Sequence, residues 1–136
     1  MVRRLRRTIG GVAIGGLVWA SVAAAQDIPT PPSEVKGVLN PVPRDEDNLR
    51  AGTALYERLC AGCHGRTGAG DGPVAKRMAW AHRPPDFSSV LTAQSDGEVF
   101  WKIARGGGAM PAYGTSLSDT ERWQVIHYLR ALTERR

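Results

Sequence analysis

Cysteine and histidine are scarce in this sequence: two cysteines, Cys60 and Cys63, and three histidines, His64, His82 and His127. Structural zinc takes four tetrahedral ligands, and His82 and His127 lie far from the cysteine pair in no finger-like spacing, so zinc is a weak reading. A disulfide between Cys60 and Cys63 would close a tiny loop and restrict the unfolded chain far less than a long-range bridge. A redox dithiol of the Cys-x-x-Cys kind expects a preceding strand and a βαβ context, and neither is visible. There is no basic stripe with interleaved aromatics, which removes the nucleic-acid reading. No grouping of acid, base and nucleophile points to catalysis by this chain, and no internal repeat appears.

Long apolar runs are also few. The main one, Ile9 to Ala25, is 17 residues long, is diluted by Gly10, Gly11, Gly15 and Gly16, and follows four arginines (Arg3, Arg4, Arg6, Arg7). It closes on Ala23-Ala24-Ala25, an Ala-x-Ala ending that suits a peptidase. Residues 1–25 therefore read as a secretory signal peptide, with an uncleaved membrane anchor as the alternative. Arg6-Arg7 hints at twin-arginine export, but a cofactor attached after export implies an unfolded passenger and the general secretory route. The signal also explains the charge. The whole chain has 18 Lys and Arg against 13 Asp and Glu; without the four signal arginines the balance is 14 against 13. The predicted compartment is periplasmic, with membrane association if the segment is retained.

The positive signal is Cys60-Ala61-Gly62-Cys63-His64. Cys-x-x-Cys-His is the spacing of covalent haem attachment, in which two thiols add across the vinyl groups of one haem and the imidazole that follows meets the iron.

Residues 26–47 have the composition of a linker or arm. They hold Pro29, Pro31, Pro32, Pro41 and Pro43 and five acids against Lys36 and Arg44, so an extended, polyproline-like leader that is mobile or hugs the surface is expected. Residues 48–136 form the one domain. Its first helix is predicted from Asn48 to Cys60, capped by Asp47 or Asn48, with Leu49, Gly52, Tyr56 and Leu59 on one stripe. A capping box, Ser95 to Glu98, opens a second helix that buries Val99, Phe100, Ile103 and Ala104 and stops at Gly106-Gly107-Gly108. A second box, Ser118 to Glu121, opens a third with a wide apolar arc through Trp123, Val125, Ile126, Tyr128, Leu129 and Leu132. No strand ladder lies between them. The stretch from Gly65 to Gln94 reads as a long Gly- and Pro-rich loop, the kind that wraps a flat cofactor. The fold class is thus all-α, with about three main helices around one haem.

Gly52, Leu55-Tyr56, Cys60 to Gly65, Gly70-Asp71-Gly72-Pro73, Met110-Pro111, Trp123 and Tyr128-Leu129 together resemble the class I monohaem c-type cytochromes of exported bacterial type. The resemblance spans about Asn48 to Leu132 and leaves the signal, the arm and an insert from Ala79 to Ser89 outside its strongest part. It implies one haem c held by Cys60 and Cys63, with His64 as proximal ligand and the Pro73 carbonyl as acceptor for His64 Nδ1–H. It implies Met110 as the sixth ligand, whose soft sulfur favours ferrous iron. It further implies one-electron transfer between a redox-protein donor and acceptor. The alternatives are a fixed subunit of a membrane respiratory or dehydrogenase complex, and a sensor or enzyme with an open iron position.

Other residues carry weaker expectations. His82 reads as a loop histidine rather than a ligand, and His127 as a packed side chain. Gly52 and Tyr56 are expected to face Tyr128 and Leu129 where the first and third helices cross. Trp80, Trp101, Tyr113 and Arg83 have the donors to meet haem edges or propionates. Six bases against four acids between Cys60 and Met110 suggest weak steering toward an acidic partner.

Overall fold

Each of the three main helices begins where a side chain satisfies its first free N–H groups. In the computed structural model, which describes residues 28–79 and 83–135, Asp45 accepts from Asn48 N and starts α1 at Glu46–Leu59. The helix begins two residues earlier than expected, and Asp45 is its cap rather than Asp47 or Asn48. The reason is local. Asp45 is extended, and moving the cap back puts Glu46 and Asp47 into the first turn, where carboxylates favour the positive end of the helix dipole. A four-residue turn, α2 (Ala61–His64), follows directly, and α3 (Phe87–Val90) is equally short. Both fall where no periodicity can reveal them. Both predicted capping boxes form: Ser95 and Glu98 open α4 (Asp96–Arg105), and Ser118 and Glu121 open α5 (Asp119–Glu134).

The core lies between α1, α4 and α5. Tyr56 and Ile126 are completely buried, and Leu55, Val99, Ile103, Trp123, Val125 and Leu129 close around them. Tyr56 does face Tyr128, with ring centroids 5.0 Å apart. Gly52, by contrast, sits against the backbone of Gln124 and Val125. Arg130 holds the far end of the site together: Nε donates to Asp96 at 2.8 Å, Nη1 to the Leu91 carbonyl and Nη2 to the Gln94 carbonyl, each at 2.6 Å.

α5 is buried on nearly all sides because the arm covers the side that α1 and α4 leave open. Asn40 Nδ2 donates to the Trp123 carbonyl at 3.0 Å, and His127 Nε2 donates to the Val42 carbonyl at 2.8 Å. Since a carbonyl only accepts, the His127 proton is on Nε2, which leaves Nδ1 to accept from Asn40 at 3.5 Å. Arg44 and Glu134 close the seam as an exposed ion pair. Residues 28–45 of the arm hold a single turn at Ser33–Val35 and no other helix. Among the described residues there is no strand, only an isolated bridge between Gly107 and Met110, and no helix is long and apolar enough to cross a membrane. The segment expected to be a signal peptide, residues 1–25, lies outside the described residues, as do Trp80 and His82.

Candidate functional site

α1 ends by delivering Cys60, whose N–H donates to the Tyr56 carbonyl at 2.8 Å. The next turn is short and tight: His64 N donates to the Cys60 carbonyl at 2.9 Å and Gly65 N to that of Ala61 at 2.9 Å. The loop that follows folds back onto this turn. Gly70 N donates to the His64 carbonyl, Gly72 N to Cys63 and Val74 N to Gly62, at 2.9, 3.1 and 2.8 Å. The buried Tyr56 hydroxyl donates to the Gly65 carbonyl at 2.6 Å. Cys60, Cys63 and His64 are therefore half-buried side chains on a backbone tied down at both ends.

Met110 is brought in by the loop that follows α4. Gly107 and Met110 exchange two backbone hydrogen bonds, of 3.0 and 2.9 Å. Gly106, Gly107 and Gly108 all have positive φ, so the three glycines form a tight turn rather than a slack one. Its exit is fastened by Tyr113 N and Gly114 N, which donate to the Ile103 and Ala104 carbonyls at 3.0 Å each, and by Tyr113 Oη, which donates to the Leu59 carbonyl at 3.2 Å.

Cys60, His64 and Met110 line one cleft of about 780 Å³, including its open mouth, with apolar walls from Phe87, Leu91, Val99, Ile103 and Leu129. Cys63 is half-buried on the same turn but is not part of the lining. Burial holds the His64 imidazole down to about 4, so at neutral pH its lone pairs are not taken by a second proton. Burial, with Cys63 adding to it, pushes the Cys60 thiol up to about 11. That is the reverse of a reactive redox dithiol, which needs a lowered value. Among the described residues no group of three or more His, Cys, Asp or Glu side chains is arranged to hold a metal ion.

Several expectations change here. His64 Nδ1 is buried without any hydrogen-bond partner, so the bond to the Pro73 carbonyl is not made. Tyr113 and Trp101 do not line the cleft: Tyr113 braces the end of α1, and Trp101 lies under the Arg105 guanidinium at 5.9 Å. Arg83 reaches the Lys76 carbonyl at 3.4 Å. The charged side chain that does line the cleft is Lys102, whose Nζ donates to Gln94 at 2.7 Å. Phe87 and Ile28 line it too, and neither stood out in the sequence. Phe87 could have been suspected from the capping Asp86 before it; Ile28 carried no signal.

An apolar cleft with a thiol, a neutral imidazole and a thioether on its walls fits a haem. The comparisons agree. A solved chain from the Kuenenia stuttgartiensis reducing HAO-like protein complex is 34% identical, with a TM-score of 0.60 over 75% of this chain and 50% of that one. The present chain thus spans about half the length of that relative. No curated protein matches it. The family model described as cytochrome c oxidase, cbb3-type, subunit III matches residues 47–129, well over half of the sequence. The chain belongs to that family and is a c-type cytochrome, with the covalent haem c and the electron-transfer role that such a domain implies.

Proposed function

We propose that this chain is an exported one-electron carrier in which Cys60 and Cys63 hold haem c through thioethers and His64 and Met110 are the axial ligands. The observation that carries the reading is that Met110, distant in sequence, faces the same apolar cleft as Cys60 and His64. When bound there, haem supplies a reversible one-electron couple. The chain does the rest. The apolar walls exclude water and limit reorganisation, and the tied turns around His64 and Met110 hold both ligand atoms in place whichever way the electron moves. Lys102 is the cation that faces the cleft and offers a donor to a carboxylate there. Residues 1–25 act as the export signal and 26–47 as an arm on the domain from 48 onward, which puts the working protein in the periplasm between a redox donor and acceptor.

Denatured holoprotein that keeps its haem through acid–acetone extraction, and loses it when Cys60 and Cys63 are both replaced by Ser, supports the attachment; haem that washes out of the unaltered protein overturns it. A second reading is a fixed electron-transfer subunit. The family description names an oxidase subunit, and the solved relative belongs to a complex. Size-exclusion of the native protein from soluble and membrane fractions separates the two.

A further inference from the structure

Gly97 stands buried in the first turn of α4, where alanine would form helix better by up to about 1 kcal/mol. The arm explains it. A Cβ at Gly97 would fall 2.0 Å from the Val35 carbonyl oxygen and 2.9 Å from Val38 Cβ. That oxygen is fixed in place, because it accepts from Val38 N at 3.1 Å while Lys36 N closes the same turn on the Ser33 carbonyl, also at 3.1 Å. The arm is thus seated on α4 as well as on α5, where Asn40 meets the Trp123 carbonyl and Val42 meets His127.

From the seated turn the chain runs back through Pro32, Pro31 and Pro29 to Ile28. Proline locks φ at about −65° and makes such a stretch a semi-rigid spacer. Clasping the turn on Gly97 therefore also fixes where Ile28 lies. Ile28 is in the wall of the cleft that Cys60, His64 and Met110 line, although it comes from outside the cytochrome domain expected from the sequence. It is 38% exposed, an apolar side chain at an opening, whereas Leu39 on the same arm is 84% exposed and is not part of that wall.

We infer that the arm is a strap that closes the haem cleft, clasped on Gly97 and carrying Ile28 as an apolar cover that keeps water from the cofactor and holds its potential up. The inference rests on haem occupying that cleft. Its physical basis is the charge difference between the two oxidation states. Ferric haem is the more positively charged, and water stabilises it more than an apolar wall does. A cover that excludes water therefore favours ferrous iron.

The test uses loaded holoprotein. Acid–acetone extraction of the unaltered protein comes first: haem that washes out overturns the functional reading and this inference together. With the haem retained, Ile28→Ser should lower the midpoint potential in a spectroelectrochemical titration and speed oxidation of the ferrous form by ferricyanide. Ile28→Leu, which keeps the cover apolar, should match the parent in both. Gly97→Ala leaves Ile28 intact but displaces the Val35 carbonyl, and should lower the potential in the same direction. Leu39→Ser should change neither readout. Parent values in Ile28→Ser overturn the inference, and so does an equal shift in Ile28→Leu or Leu39→Ser. A shift in Ile28→Ser with none in Gly97→Ala overturns the clasp as what seats the strap. Should Gly97→Ala fail to load, the Ile28 and Leu39 variants, which lie on the exposed arm, decide alone.

Discussion

Gly52 lies against the main chain of Gln124: a Cβ at position 52 would fall 2.0 Å from the Gln124 carbonyl oxygen and 2.5 Å from its carbon. The obstacle is backbone of α5, which no rotamer change can move. α1 must either stand off from α5 or lose the contact that carries Tyr56 onto Tyr128.

Gly52→Ala should therefore destabilise the holoprotein, although alanine is the better helix former by up to about 1 kcal/mol. Overpacking of this kind costs about 1–3 kcal/mol, and here the strain falls on the helix that presents Cys60. Chemical denaturation of loaded protein measures it. An alanine variant as stable as the parent would show that the crossing yields freely.

The arm's attachment to α5 rests on His127 and Asn40. Replacing His127 by Phe removes the donor to the Val42 carbonyl and should cost about 1–3 kcal/mol through the polar groups left behind. Limited proteolysis should then cut between residues 28 and 44 sooner than in the parent. Equal cleavage rates in the two proteins would count against the clamp.

Met110→Ala should abolish the far-red methionine-to-iron absorption band of the oxidised protein, allow carbon monoxide to bind the reduced protein and lower the potential, because water or a harder ligand replaces sulfur. Met78→Ala should do none of these. An unchanged spectrum and potential in the Met110 variant would move the open-site sensor or enzyme reading ahead of the carrier.

Acid should displace His64 only late. Burial lowers its value from 6.5 to about 4, so the competing proton gains hold only as the pH falls through that region, and ligation delays it further. Absorbance titration should show the low-spin spectrum intact from pH 8 to about 5. A transition centred near the ordinary histidine value would mean that the imidazole is not sheltered as described.

The capping boxes at Ser95 and Ser118 were legible because a cap is a matter of residues three apart, and the structure has both where the sequence puts them. The all-α class followed from the same local chemistry. The start of α1 slipped by two residues because three consecutive acidic residues, Asp45, Glu46 and Asp47, offer competing caps, and the choice depends on where the preceding arm leaves the chain.

What the sequence alone determined is the Cys-x-x-Cys-His pentapeptide, the three helices and a short list of ligand candidates, since spacing along the chain is enough to specify each. Tertiary structure decided which of those candidates share a cleft, because Met110 reaches the cleft of Cys60 and His64 only when α1 and α4 are both packed on α5. It also decided that Lys102, rather than Trp101, Tyr113 or Arg83, faces that cleft. Those are contacts between segments with no local code. They are set by which faces the core buries, and no spacing within either segment records that choice.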